Sequence, residues 1–106
     1  MKEEVRRKYE VQAKIVKAMA HPTRLFIIDA LSHKALCVCE LTAMIGADIS
    51  TVSNHLSILE NAGILEHRKE GLKVFYRLKS PYIRNICNYV ESVLKANIKQ
   101  QLRAVK

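Results

Sequence analysis

Across residues 2–20 the apolar positions Val5, Tyr9, Val11, Ala13, Ile15, Val16 and Met19, wound at about 100° per residue, cover roughly half of a helix circumference. Arg6, Arg7, Glu10, Lys14 and Lys17 take the other side. A stripe that wide exceeds what packing on one neighbour requires. His21-Pro22-Thr23-Arg24 restarts the chain, with His21 placed to begin a second helix and Pro22 suited to its first turn. Leu25, Ile27, Ile28 and Leu31 carry that helix to about Ser32, and His33 is expected to end it. Residues 40–45 predict a short third helix stopped by Gly46. Ser50 is placed to cap a fourth, in which Val52, Leu56 and Leu59 form a narrow apolar seam and Gly63 closes the end.

The period changes over residues 64–78. Val74, Tyr76 and Leu78 alternate with Lys73, Phe75 and Arg77, and Glu70-Gly71 stands where a tight hairpin needs positive φ, so a two-stranded β-ribbon with a basic tip is expected. Pro81 opens a last helix, whose Ile83, Ile86, Tyr89, Val90, Val93 and Leu94 form a second broad stripe. Beyond Leu94 that stripe drifts and the helix is expected to fray. The sum is a mainly α (α+β) chain of about five helices and one hairpin, with no internal repeat, low-complexity tract or linker.

Composition narrows the class. A chain of 106 residues, 49% of them apolar, is expected to be one domain (1–106), large enough for a core and small enough to gain from dimer burial. No apolar run approaches the ~20 residues that span a bilayer, and Met1-Lys2-Glu3-Glu4 reads as the start of a charged helix. No membrane partner and a cytoplasmic location are expected. An odd count of three cysteines points to ligands, sensors or core fillers instead of a disulfide framework.

The net charge of +8 calls for a polyanionic partner, and its distribution says more. Residues 1–34 carry eight Lys/Arg, residues 68–106 carry ten, and residues 35–67 carry none. If the middle segment reads DNA, it does so through neutral side chains and backbone N–H groups, while the flanks attract phosphate.

Helix, helix, short helix, turn, polar helix, hairpin, helix is the order of a winged helix-turn-helix. Four ordered blocks resemble the ArsR/SmtB family of bacterial metal-responsive repressors. They are Ala18-Met19-Ala20-His21-Pro22-Thr23-Arg24-Leu25, the Leu36-Cys37-Val38-Cys39-Glu40-Leu41 box, Ser50-Thr51-Val52-Ser53-Asn54-His55-Leu56, and the wing ending Val74-Phe75-Tyr76-Arg77-Leu78. The resemblance implies residues 38–62 as the helix-turn-helix, 64–78 as the wing, and 1–20 and 80–102 as dimerisation helices.

With the seam of the fourth helix facing the domain, Thr51, Ser53 and Asn54, with His55 as a further candidate, project outward near its N-terminus beside Ser50. Short donors and acceptors there reach base edges in a major groove. Taken singly, Ser and Thr also read as caps, and Asn and His as solvated surface. Arg68, Lys69 and Lys73 on the wing are the candidate phosphate contacts.

The Cys-Val-Cys box carries the candidate trigger. In a regular helix, side chains at i and i+2 diverge by about 200°; in an extended segment they lie on one side about 6 to 7 Å apart. Two thiolates therefore share an ion only if the chain bends at Val38, which is expected to strain the first turn of the third helix. Thiolates suit soft acceptors, and a cysteine at a helix N-terminus can have a lowered pKa. Alone, Cys-Val-Cys also reads as two small residues filling a strand-to-helix corner.

The resemblance implies that Cys37 and Cys39 bind arsenite, antimonite or another thiophilic ion, and that the occupied repressor leaves its operator. No resident cofactor is implied. The chain departs from the family in several places. Arsenite-responsive members often carry a third cysteine where Thr42 stands, the N-terminal arm has no cysteine, and the last helix has no Asp or His for zinc. Cys87 is the candidate third ligand, and it reads equally as a buried small residue. In some relatives a cysteine near the second or third helix links to one on the last helix to sense persulfides or oxidants, which leaves an alternative input through Cys87 with Cys37 or Cys39. A dithiol oxidoreductase is disfavoured, because neither Cys-x-x-Cys nor a βαβ context is present.

Overall fold

Among the described residues, five helices and a three-stranded antiparallel sheet follow in the order α1 (Glu3–Met19), α2 (Pro22–Leu31), β1 (Leu36–Cys37), α3 (Val38–Ile45), α4 (Ile49–Asn61), β2 (Leu65–Glu70), β3 (Lys73–Leu78) and α5 (Pro81–Val105). The computed structural model describes residues 1–105. Each helix start has a local cause. Glu3 and Glu4 in the first turn of α1 and Lys17 in its last oppose the helix dipole. His21 caps α2, its Nδ1 accepting the Thr23 N–H at 3.1 Å, with Pro22 in the first turn. Helix α2 ends at Ser32, whose backbone N–H donates to the Asp29 carbonyl at 3.1 Å; His33 lies beyond that end.

The seam of α4 is buried as its spacing predicts. Val52, Leu56 and Leu59 have no exposed surface and pack in one core with Ile27, Ile28, Leu31, Leu41, Ile64 and Leu65. Gly46 stops α3 in the left-handed conformation at φ 76°, where a side chain would be strained.

Four features differ from the sequence expectation. The wing has a third strand: β1 pairs antiparallel with β3, giving the order β1-β3-β2, with Leu36 opposite Tyr76 and Cys37 opposite Phe75. The hairpin turns at Gly71-Leu72, because Glu70 still pairs with Lys73; Gly71 supplies the positive φ of 62°. Helix α4 is capped by Asp48, whose carboxylate accepts the Thr51 N–H at 2.7 Å, and Ser50 lies inside the first turn. Helix α5 runs on without a break past Leu94, where fraying is expected, to Val105, since Ile98, Leu102 and Val105 resume the apolar stripe.

The two broad stripes stay uncovered. On α1 only Ala18 and Met19 are buried, and Val5, Tyr9 and Val16 are exposed. On α5 only Ile83 is buried, whereas Tyr89, Val90, Val93, Leu94 and Leu102 are exposed. No helix is long and apolar enough to cross a membrane among the described residues.

Candidate DNA interface and thiol site

Helix α3, the turn at 46–48 and α4 form the helix-turn-helix, with α3 packed on α4. Ser50, Thr51, Ser53 and Asn54 are all exposed on the first turns of α4, where their short polar side chains suit major-groove contact. Exposed Ser57 extends the same face one turn further. Asp48 sits at the head of this surface, and hydrogen bonds from the Thr51 side chain and backbone hold its carboxyl below the usual carboxylate range.

His55 does not belong to that face. It is buried at 9% exposure, accepts the Arg24 Nε–H on its Nδ1 at 3.1 Å, and lies with its ring centroid 4.6 Å from that of His21. Arg24 also donates from Nη1 to the Ala18 carbonyl at 3.2 Å, so one guanidinium ties α2 to the end of α1 and to the middle of α4. Burial first, then the neighbouring His21 and Arg24, lower the His55 pKa.

On the wing, Lys69 and Lys73 are exposed and in no ion pair among the described residues. Arg68 is partly neutralised by Glu70, and Arg77 by Glu66 at 2.7 Å. Free positive charge for phosphate is therefore concentrated on the two lysines. Behind them, His67 pairs with Glu60 of α4 at 2.5 Å, which ties the wing to the reading helix.

Cys37 is the N-cap of α3. Its Sγ accepts the Glu40 N–H at 3.4 Å, and the Glu40 carboxylate accepts the Cys37 N–H at 3.1 Å, a reciprocal capping box built on sulfur. Because the strand stops at Cys37 and the helix begins at Val38, the bend that brings the two side chains together is already present. The structure joins Cys37 and Cys39 as a disulfide, Cα atoms 5.4 Å apart. The bend at Val38, expected on ion binding, is therefore present without an ion. Cys37 is buried and Cys39 exposed.

Cys87 stands apart. It packs on the core from α5, half-buried, and burial followed by the Asp29 carboxylate pushes its thiol pKa up. Among the described residues no three His, Cys, Asp or Glu side chains are grouped to hold a metal ion, so one chain does not bring Cys87 to the pair as a third ligand.

The pair opens into a cleft of about 330 Å³ between α3, the start of α4 and the wing tip. Ile49, Ser53, Leu72 and Lys73 line it with the two cysteines. Two features of the site are not evident from periodicity. Arg24 and Asp48 act through partners, and for Asp48 the Asp-x-x-Thr spacing at 48–51 is the signal.

A recognition helix, its supporting helix and a basic β-wing define a winged helix-turn-helix DNA-binding protein. Residues 21–67 match the family described as bacterial regulatory protein, arsR family. An uncharacterized HTH-type transcriptional regulator of Methanocaldococcus jannaschii is 38% identical over 87 residues, 81% of this chain and 98% of that protein. A cadmium resistance transcriptional regulatory protein CadC homolog of Staphylococcus aureus is 39% identical over 75 residues, 70% of this chain and 62% of its own. The transcriptional repressor PagR of Bacillus anthracis is 33% identical over 85 residues, 79% of this chain and 85% of that protein. Its crystal structure covers 78% of this chain and 95% of its own at a TM-score of 0.69. The chain belongs to the ArsR/SmtB family of transcriptional repressors. Its class is a DNA-binding regulator, not an enzyme.

Proposed function

We propose that two copies of this chain bind an operator of inverted symmetry and leave it when reduced Cys37 and Cys39 capture a thiophilic ion, with As(III) or Sb(III) favoured. The observation that carries the reading is the shared cleft: the two cysteines border the same space as Ser53 on the reading helix and Lys73 on the wing. An ion there lies between the two groups that meet DNA.

Capture has a direct structural cost. Cys37 Sγ is the acceptor for the Glu40 N–H, so engaging that sulfur with an ion competes with the cap of α3. Helix α3 supports α4, and loosening its first turn shifts the reader. Thiolates select soft ions, in keeping with the cadmium resistance role named for the staphylococcal relative. Exposed stripes on α1 and α5 supply the apolar surface for pairing. An input through Cys87 has less support, because its raised pKa and its packing on the core disfavour a reactive thiolate.

The test is operator release, followed by fluorescence anisotropy on reduced protein without oxygen. Arsenite is expected to release the wild type and to leave Cys37→Ser and Cys39→Ser bound. Release of both variants at wild-type concentrations overturns the reading.

A further inference from the structure

A second cleft, of about 360 Å³, opens between α1, α2 and the last turn of α4, and neither DNA contact nor the thiols use it. Ala18, Ile58 and Ala62 form its apolar floor, and Lys14, Lys17 and Arg24 stand around it. No carboxylate lines the cleft, and none of the three cations is in an ion pair among the described residues. Three unneutralised positive charges beside an apolar floor are complementary to a molecule with a hydrocarbon body and an anionic head. The volume lies in the range of small-ligand sites.

The position of the cleft distinguishes it from the surfaces already described. On α1, at about 100° per residue, Lys14 lies nearly half a turn away from Val5, Tyr9 and Val16 at the middle of the apolar stripe. Asn61, also in the lining, is ten residues beyond Thr51, about 15 Å along the α4 axis from the DNA-facing turn.

The cleft is also wired to the reader. Arg24 donates Nε–H to His55 of α4 and Nη1–H to the Ala18 carbonyl, and both Arg24 and Ala18 line the cleft. A carboxylate offers this guanidinium an oppositely charged acceptor, and so a stronger hydrogen bond than a neutral imidazole nitrogen gives. Binding there would draw Arg24 from His55 and free the middle of α4.

We propose that this cleft binds an amphipathic carboxylate, with its hydrocarbon on Ala18, Ile58 and Ala62 and its head group on Lys14, Lys17 and Arg24, and that occupancy weakens operator binding. Isothermal titration calorimetry of the whole chain with octanoate tests the site, with octanol, octylammonium and acetate as comparison probes. Octanoate is expected to bind at least tenfold more tightly than each of the three. The double variant Lys14→Gln, Lys17→Gln, which changes only exposed side chains, is expected to weaken octanoate at least tenfold with its melting temperature unchanged. Absence of octanoate binding up to millimolar concentration, equal binding of octanol, or full binding by the double variant overturns the site. Operator release by octanoate is then measured on Cys37→Ser, which separates this input from the thiol site. Release from that variant supports the coupling through Arg24, and unchanged operator affinity at saturating octanoate overturns it.

Discussion

Arg24 of α2 donates its Nε–H to Nδ1 of His55 in the middle of α4 across 3.1 Å. Nδ1 can accept only while unprotonated, so the imidazole is neutral with its proton on Nε2. A neutral, buried histidine thus anchors the reading helix to α2, which presents its own histidine cap at the same junction.

Acid is expected to loosen this junction. Above the ordinary value of 6.5 the imidazole is neutral in folded and unfolded chain alike; below it the unfolded chain takes a proton that the folded one resists. The folded pKa is lowered, so its contribution is complete above 6.5 and is lost as pH falls from there toward the folded value. Melting temperatures measured from pH 7.5 down to pH 5 should fall more steeply for wild type than for His55→Gln. Parallel curves would assign the acid sensitivity to another group.

The split between phosphate attraction and base reading predicts two kinds of DNA defect. Lys69→Ala or Lys73→Ala should weaken operator and random DNA alike and reduce the salt slope by roughly one unit. Ser53→Ala or Asn54→Ala should weaken the operator selectively, by about 1 to 3 kcal/mol for a good base contact. Equal losses on both DNAs for Asn54→Ala would remove α4 as the reader.

Val90 and Val93 are more than half exposed on α5, at 57% and 59%. If they lie in a subunit interface, Val90→Asp or Val93→Asp buries an unpaired charge there and splits the dimer, abolishing tight operator binding at the same step. Sedimentation and DNA titration of the same samples check this. A monomeric variant that keeps full operator affinity contradicts it.

Leu56 has no exposed surface and belongs to the central cluster with Leu41 and Leu59. Leu56→Ala should cost about 2 to 5 kcal/mol of unfolding free energy in a denaturant titration. A loss well under 1 kcal/mol would place the core elsewhere.

Periodicity revealed what depends on near neighbours and missed what depends on distant ones. The seam Val52, Leu56, Leu59 is a local pattern and is buried as the spacing implies, whereas in β3 Phe75 is as covered as Val74 and Tyr76 and the alternation holds only at Lys73, Arg77 and Leu78. His55 lies at the border of that seam, and its partners inside, Arg24 and His21, stand 31 and 34 residues earlier in the chain. Strand β1 is two residues long and exists because Leu36 and Cys37 find Tyr76 and Phe75 far along the chain. Asp48 and Ser50 are both good caps, and the left-handed Gly46 just before them sets the path by which Asp48 enters the helix. In α5, polar Asn97 interrupts a stripe that Ile98 and Leu102 resume, so a short window reads the interruption as a drift toward a frayed end.

The sulfur cap of α3 also bears on how such a regulator can change over time. Exchanging the Cys37 sulfur for oxygen gives Ser-x-x-Glu, the ordinary form of the same capping box, so the hydrogen bonds that start α3 are kept. Loss of the trigger is therefore structurally almost free at this position, and a lineage no longer exposed to the ion can drift into a folded, permanently bound regulator. The opposite exchange is just as gentle on the fold. An unresponsive relative with serine here stands a single atom from acquiring half of a chelate, with the neighbouring position supplying the rest.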